Sequence, residues 1–228
     1  MQKAIYLAIW ISYLLSLSTL SHAQVNFVTG YVGGYYELDA YNDIIARRDA
    51  AIQEPIWTLK NLNFMSGVNV GINYRTPVMS VEALWTERFR INREQTRDPM
   101  TGNRQPRTTL TERFSGPSLG LNFHIENLLI GGTINYHTFR QVARVVNQER
   151  TLLISDGLFG AQVQMGYYKR INRANAIAVY PYAYFPFSTI NLSPFDEYLN
   201  NSNPSDLDID LMHFGIRLLI YNGAQRYE

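Results

Sequence analysis

Apolar and polar residues alternate with a period of two over most of the chain beyond residue 24. The alternation is clearest in 210–221, DLMHFGIRLLIY, where Met212, Phe214, Ile216, Leu218 and Ile220 share one register. The other register reads Leu211, His213, Gly215, Arg217 and Leu219. Successive side chains of a strand point to opposite faces, so one face of this stretch is wholly apolar and the other carries a histidine and an arginine. An apolar outside and a polar inside at this period is what a membrane-spanning barrel strand requires.

The same rule predicts eight strands: 24–36, 62–75, 79–91, 108–124, 128–142, a sixth running to about residue 170, 176–190 and 210–221. In the first, Phe27, Tyr31 and Tyr35 oppose Val28 and Val32, so its facing stays open. In the second, Val68, Val70, Ile72 and Tyr74 oppose Asn69, Gly71 and Asn73. The seventh is apolar on both faces and holds Pro181 and Pro186, which fits a ladder poorly because proline has no N–H to donate. Within 38–60 no strand is expected. Tyr41, Ile44, Ile45 and Ile52 lie at helical spacing, with Asp43 and Arg47 four apart and Pro55 as a stop, predicting a short helix over 39–53. Residues 92–107 and 191–208 read as long polar loops.

Connections between these strands alternate long and short. Short turns at one end and longer loops at the other are the pattern of an up-and-down transmembrane β-barrel, with both termini on the short-turn, periplasmic side. A soluble periplasmic β-sandwich has no reason to sort its connections this way. The apolar register also places Tyr74, Phe123 and Tyr167 at the short-turn ends of their strands and Trp85 and Phe89 toward the other rim, as in an aromatic girdle.

Composition sharpens this picture in four respects. Residues 1–23 read as a secretory signal peptide, with Lys3 the lone charge, an apolar core over 4–17 and Ser21-His22-Ala23 before Gln24; the barrel domain is then 24–228. There is no cysteine, which excludes a lipid anchor, a disulfide and a thiolate metal site. No later run approaches 18 consecutive apolar residues, which excludes a helical membrane protein. Removing Lys3 from the 20 basic residues leaves 19 against 19 acidic ones, a net charge of zero that argues against nucleic acid as partner.

On these strands the chain resembles the small eight-stranded outer-membrane β-barrel family, the group of the OmpA membrane domain, OmpX and OmpW. The likeness runs over about 25–221 and rests on pattern rather than a diagnostic motif. It implies an all-β fold in the bacterial outer membrane. It also implies a last strand ending on an aromatic residue that the assembly machinery reads; here seven residues follow Tyr221, so that signal is expected to be internal or relaxed. The length leaves no room for the peptidoglycan-binding domain that often follows an OmpA-type barrel.

An eight-stranded barrel is narrow enough for side chains to fill. Its polar register supplies Asn69, Asn73, Glu82, Asn122 and Asn135 together with His137, Gln162, Gln164, His213 and Arg217. Glu82 and Arg217 sit at similar depth, which predicts a luminal ion pair, or Arg217 held by a neighbouring Asn or Gln. Beyond the signal the histidines are His124, His137 and His213. None has an assignable serine partner and no two share a metal-binding spacing, so neither an enzyme, a metal site nor a cofactor is expected.

Two loops carry opposite charge. Residues 88–107 hold six arginines, Arg90, Arg93, Arg97, Arg104 and Arg107 among them, against Glu94 and Asp98. Residues 191–210 hold Asp196, Glu197, Asp206, Asp208 and Asp210 with no basic residue. The loops either pair with each other above the barrel or form a docking surface for an outer-membrane partner protein or for outer membrane lipids, anionic lipopolysaccharide above all. The expectation is therefore a non-enzymatic structural or accessory subunit. The alternative, implied by OmpW-like barrels, is a small pore or a carrier for small apolar solutes.

Overall fold

Period-two alternation closes into a sheet with no free long edge. The computed structural model describes residues 24–51, 55–97, 101–145, 149–200 and 207–223. Its elements are β1 (Gln24–Tyr36), α1 (Asp39–Ala50), β2 (Pro55–Trp57), β3 (Phe64–Arg75), β4 (Met79–Arg97), β5 (Arg104–Ile125) and β6 (Leu128–Val145). They continue with β7 (Arg150–Arg170), β8 (Asn175–Pro186), β9 (Ile190–Asn191), α2 (Ser193–Asn200), β10 (Asp208–Ile209) and β11 (His213–Asn222). Eight of the strands (β1, β3–β8 and β11) form an antiparallel barrel in chain order, closed where β11 returns to β1 from Phe27↔Asn222 to Tyr36↔His213. This is the eight-stranded up-and-down barrel that the alternation predicts. The segment read as a signal peptide lies outside the described residues.

The outer face is apolar. Ile72, Val70, Leu121, Ile134, Val163, Ile216 and Leu218 all point outward and are exposed, as are Tyr74, Phe123 and Tyr167 at one rim and Trp85 and Phe89 toward the other. In water such a surface would aggregate; in hydrocarbon it costs nothing, and the closed ladder leaves no unpaired backbone there. The facing of β1 is settled by its pairing: Phe27, Tyr31 and Tyr35 look out, while Val28 and Val32 are buried inside. β8 is an ordinary barrel strand. Its Val179, Pro181 and Phe185 face lipid while Tyr180, Tyr182 and Tyr184 face the lumen, and its ladder with β7 skips the residues around Pro181.

Three expectations about the long connections are corrected. Residues 92–107 are not a loop: β4 and β5 run on as a hairpin from Arg93↔Thr109 to Arg97↔Arg104, because alternation persists there with Asn92 and Glu94 buried inside. Residues 38–60 do contain a short strand, β2, which pairs with the end of β4 at Pro55↔Thr96. Residues 191–208 contain α2, whose Phe195 and Leu199 are buried four apart. The predicted helix is α1, ending at Ala50, with Ile52 outside the described residues. Asp39 in its first turn and Arg47 and Arg48 in its last complement the helix dipole. Strand ends move by a few residues too, β8 stopping at Pro186 and β11 starting at His213.

If the exposed apolar band faces lipid, an arginine at Ile134, near the middle of β6, costs about 2–4 kcal/mol of folding free energy into bilayers. Urea titration of the protein refolded into vesicles measures this.

Candidate functional site

The barrel interior is layered. At its centre the polar residues bond to one another. Thr86 Oγ1 donates to Asn69 Oδ1 (2.7 Å), Gln164 Nε2 to Asn122 Oδ1 (2.6 Å) and Thr133 Oγ1 to Asn135 Oδ1 (3.0 Å). Arg217 Nη2 lies 3.8 Å from Glu82 Oε2 and also donates to Gln164 Oε1. Glu82 Oε1 accepts the Tyr221 hydroxyl at 2.7 Å, and Tyr221 shares a 2.9 Å contact with the Tyr180 hydroxyl. Each member of the charged pair thus has a neutral hydrogen-bonding neighbour as well as its counter-ion, as a buried pair requires.

Above this belt lies an arrangement that sequence reasoning missed. Arg88 is 1 % exposed, and no carboxylate among the described residues pairs with it. Its Nη1 donates to the Tyr36 hydroxyl (3.0 Å) and the Tyr182 hydroxyl (3.1 Å). It also meets His213 Nε2 at 2.6 Å, and its guanidinium stands 4.5 Å over the Phe114 ring. His213 Nδ1 lies 2.8 Å from the Leu211 carbonyl, so Nδ1 carries the proton and Nε2 is an acceptor, sharing the two hydrogens of Arg88 Nη1 with the two hydroxyls. His137 packs against Phe114 at 4.5 Å between centroids with the rings tilted by 48°, and approaches Tyr184. Gly34 leaves the space for this cluster, since a Cβ there would stand 2.7 Å from Arg88 Nη1.

The mouth at the long-loop end is closed by the two helices. Tyr41, Ile44 and Ile45 of α1 and Phe195 and Leu199 of α2 are buried with Leu110, Phe139 and Leu158 of the wall in one apolar cluster. Tyr41 stacks on Phe195 at 4.8 Å. The Tyr41 hydroxyl donates to buried Glu112 Oε1 at 2.6 Å and accepts from Gln141 at 2.9 Å. Burial, then the neighbouring Glu112 carboxylate, hold Tyr41 well above its ordinary value, so it remains a donor. Arg47 pairs with Asp196 at 3.0 Å, and Asn200 Nδ2 donates to the Ile44 carbonyl at 3.2 Å. Each fully buried Ile, Leu or Phe contributes about 1.5–3 kcal/mol.

All ten residues of the predicted polar register (Asn69, Asn73, Glu82, Asn122, Asn135, His137, Gln162, Gln164, His213 and Arg217) lie buried in the lumen. The charged-loop residues divide differently. Arg93 points outward, whereas Arg90 donates to the Lys60 carbonyl at 3.1 Å. Asp196 is not a surface docking residue: it is 2 % exposed and spent on Arg47, because α2 turns it toward α1. Glu197 and Asp208 are exposed. The side chains of Arg97, Arg104 and Arg107, and the whole of Asp206, lie outside the described residues. Alternation puts Arg88 in the inward register of Glu82, Leu84 and Thr86, but its charge also counts it among the loop arginines, and the expected luminal set omits it. The luminal tyrosines were hidden by β8 being apolar on both faces; a tyrosine at every second position was the available signal.

A closed barrel with an apolar outer band and a filled interior is a small eight-stranded β-barrel of the outer-membrane type. No protein-family model matches the chain, and no curated protein matches it. Among solved structures it is similar to Ail, the attachment invasion locus protein of Yersinia pestis, in complex with the heparin analogue sucrose octasulfate. That likeness has a TM-score of 0.49 at 10% identity and covers 88% of this chain and 97% of that one. It is similar also to Neisserial surface protein A (0.41, 6% identity, covering 88% and 96%). A third is the outer membrane protease OmpT from Escherichia coli (0.31, 9% identity, covering 88% and 94%).

Replacing Glu82 with alanine leaves Arg217 buried without its counter-charge and is expected to cost about 3 kcal/mol. The double change Glu82→Leu with Arg217→Met is expected to cost less than that single change. Heat-dependent gel mobility of the refolded barrel across a urea series reads both.

Proposed function

We propose that this chain is an integral protein of the bacterial outer membrane that neither conducts nor catalyses. In this reading both termini are periplasmic and the long-loop end faces outward. The protein works through its outer surface, as a structural or accessory component that contacts lipopolysaccharide or a partner protein. The observation that carries this reading is the filled interior. Two docked helices close the outer mouth, and the Arg88 cluster and the polar belt occupy the lumen beneath them. A pore or carrier needs a continuous path, and a narrow barrel whose inward side chains bond to one another offers a poor one. An acyl-transfer or protease site needs a nucleophile beside a base within reach of substrate. His213 instead spends both ring nitrogens on Leu211 and Arg88 behind the helical cap.

Planar-bilayer recording tests the reading. Purified protein is expected to give no discrete conductance steps, and regular single-channel steps would favour the pore. Mild-detergent purification followed by mass spectrometry should then recover lipopolysaccharide or one stoichiometric protein partner; recovery of neither removes the accessory role.

A further inference from the structure

Above the apolar band, the outer face of β4–β7 carries arginines in two cross-strand rows. The lower row runs Phe89↔Arg113↔Arg140↔Ser155. The upper row runs Arg93↔Thr109↔Arg144↔Arg150. Between them lies a mostly apolar row, Ile91↔Thr111↔Val142↔Leu152. All of these but Phe89 and Ser155 line an open groove of about 830 Å³. Arg113 is paired with Glu87 at 2.9 Å. Arg93, Arg140, Arg144 and Arg150 have no carboxylate partner among the described residues, and Glu149 beside Arg150 is exposed.

Height decides what fits. From Met79 to Phe89 is ten residues, which at about 3.3 Å each and a tilt of about 40° rise about 25 Å, the height of the apolar band of such barrels. Phe89 therefore stands at the edge of the hydrocarbon. The rows cross tilted strands and so are inclined, and the comparison is made within one strand: on β6, Arg144 is four residues beyond Arg140, about 10 Å higher by the same geometry. A glycerophospholipid headgroup layer is only about 5–8 Å thick, so a single phosphate cannot serve both rows. Arginine's planar fork suits phosphate, and the Ile91, Val142 and Leu152 strip between the rows suits an uncharged spacer with apolar character.

We propose that this groove is a docking site for an anionic glycolipid carrying phosphates at two heights, the chemistry of outer-leaflet lipopolysaccharide. The proposal rests on the orientation given under Proposed function and gives that surface its ligand. Arg140 engages the phosphate nearest the acyl chains and Arg144 the outer one, with Arg93 and Arg150 flanking it. The contact lies on the barrel wall rather than on the helical cap.

Native mass spectrometry of the protein in neutral detergent tests this with three probes: bisphosphorylated lipid A, monophosphoryl lipid A and phosphatidylglycerol. Bisphosphorylated lipid A should bind about tenfold tighter than phosphatidylglycerol, with the monophosphoryl form between them, as expected for added charge-assisted contacts. Arg93→Gln with Arg144→Gln, both in the upper row, should remove that advantage while leaving phosphatidylglycerol binding and heat-modifiable gel mobility unchanged. Equal affinity for all three lipids, or an undiminished advantage in the double variant, would overturn the site. So would tighter binding of a heparin oligosaccharide than of lipid A to the same arginines. Each of these leaves the non-conducting reading standing, since that one is decided by bilayer recording.

Discussion

Hydrocarbon offers backbone groups no hydrogen-bond partners, so the pairing of β11 with β1 is the interaction on which everything else depends. Were that seam open, a row of N–H and C=O groups would face lipid along two edges. Closing it with eight strands fixes a narrow interior. The narrow interior must then be filled, and the strands' period of two hands the filling to the residues opposite the lipid-facing ones. Arg217 shows the two demands meeting in one strand: its neighbours Ile216 and Leu218 face lipid while its own side chain reaches Glu82 and Gln164.

Filling is done differently at different depths. In the middle, amides and hydroxyls bond to one another around one acid and one base, with Asn69 Nδ2, Asn73 Oδ1 and Asn122 Nδ2 left over. Higher up, Arg88 is held by two tyrosine hydroxyls, a histidine nitrogen and the face of Phe114, with no carboxylate among the described residues. At the long-loop end the wall itself is apolar inside, at Leu110, Phe114, Phe139 and Leu158, and cannot be left facing water. The helices supply the missing apolar surface. α1 and α2 are short, and neither would persist alone; they hold because Tyr41, Ile44, Ile45 and Phe195 have somewhere to be buried.

How much of this was legible follows from where the physics is local. Facing along a strand is a nearest-neighbour property, so Asn69, Glu82, Gln164 and Arg217 could be placed inside from spacing alone. Strand ends beyond the membrane could not, because once lipid is left behind no apolar register marks the outer face. The β4–β5 hairpin, with Arg93 outside and Glu94 inside, therefore reads as a polar loop. The ion pair between Arg47 and Asp196 joins residues 149 positions apart, and spacing along the chain is silent about such a contact. Local spacing suggested Asp43 for Arg47 instead. The same holds for Tyr41 and Glu112, which meet only because α1 folds back into the mouth.

The filled and closed lumen is the central claim, and the absence of cysteine from the chain makes it directly measurable. Single cysteines at Thr86 and Ser118, both luminal, and at Glu197, exposed on α2, can each be challenged with a water-soluble thiol reagent in the refolded barrel. The account predicts that Thr86→Cys and Ser118→Cys react at least about a hundredfold more slowly than Glu197→Cys, since labelling must wait for rare opening. Comparable rates at all three positions would mean a water-filled lumen and would contradict it.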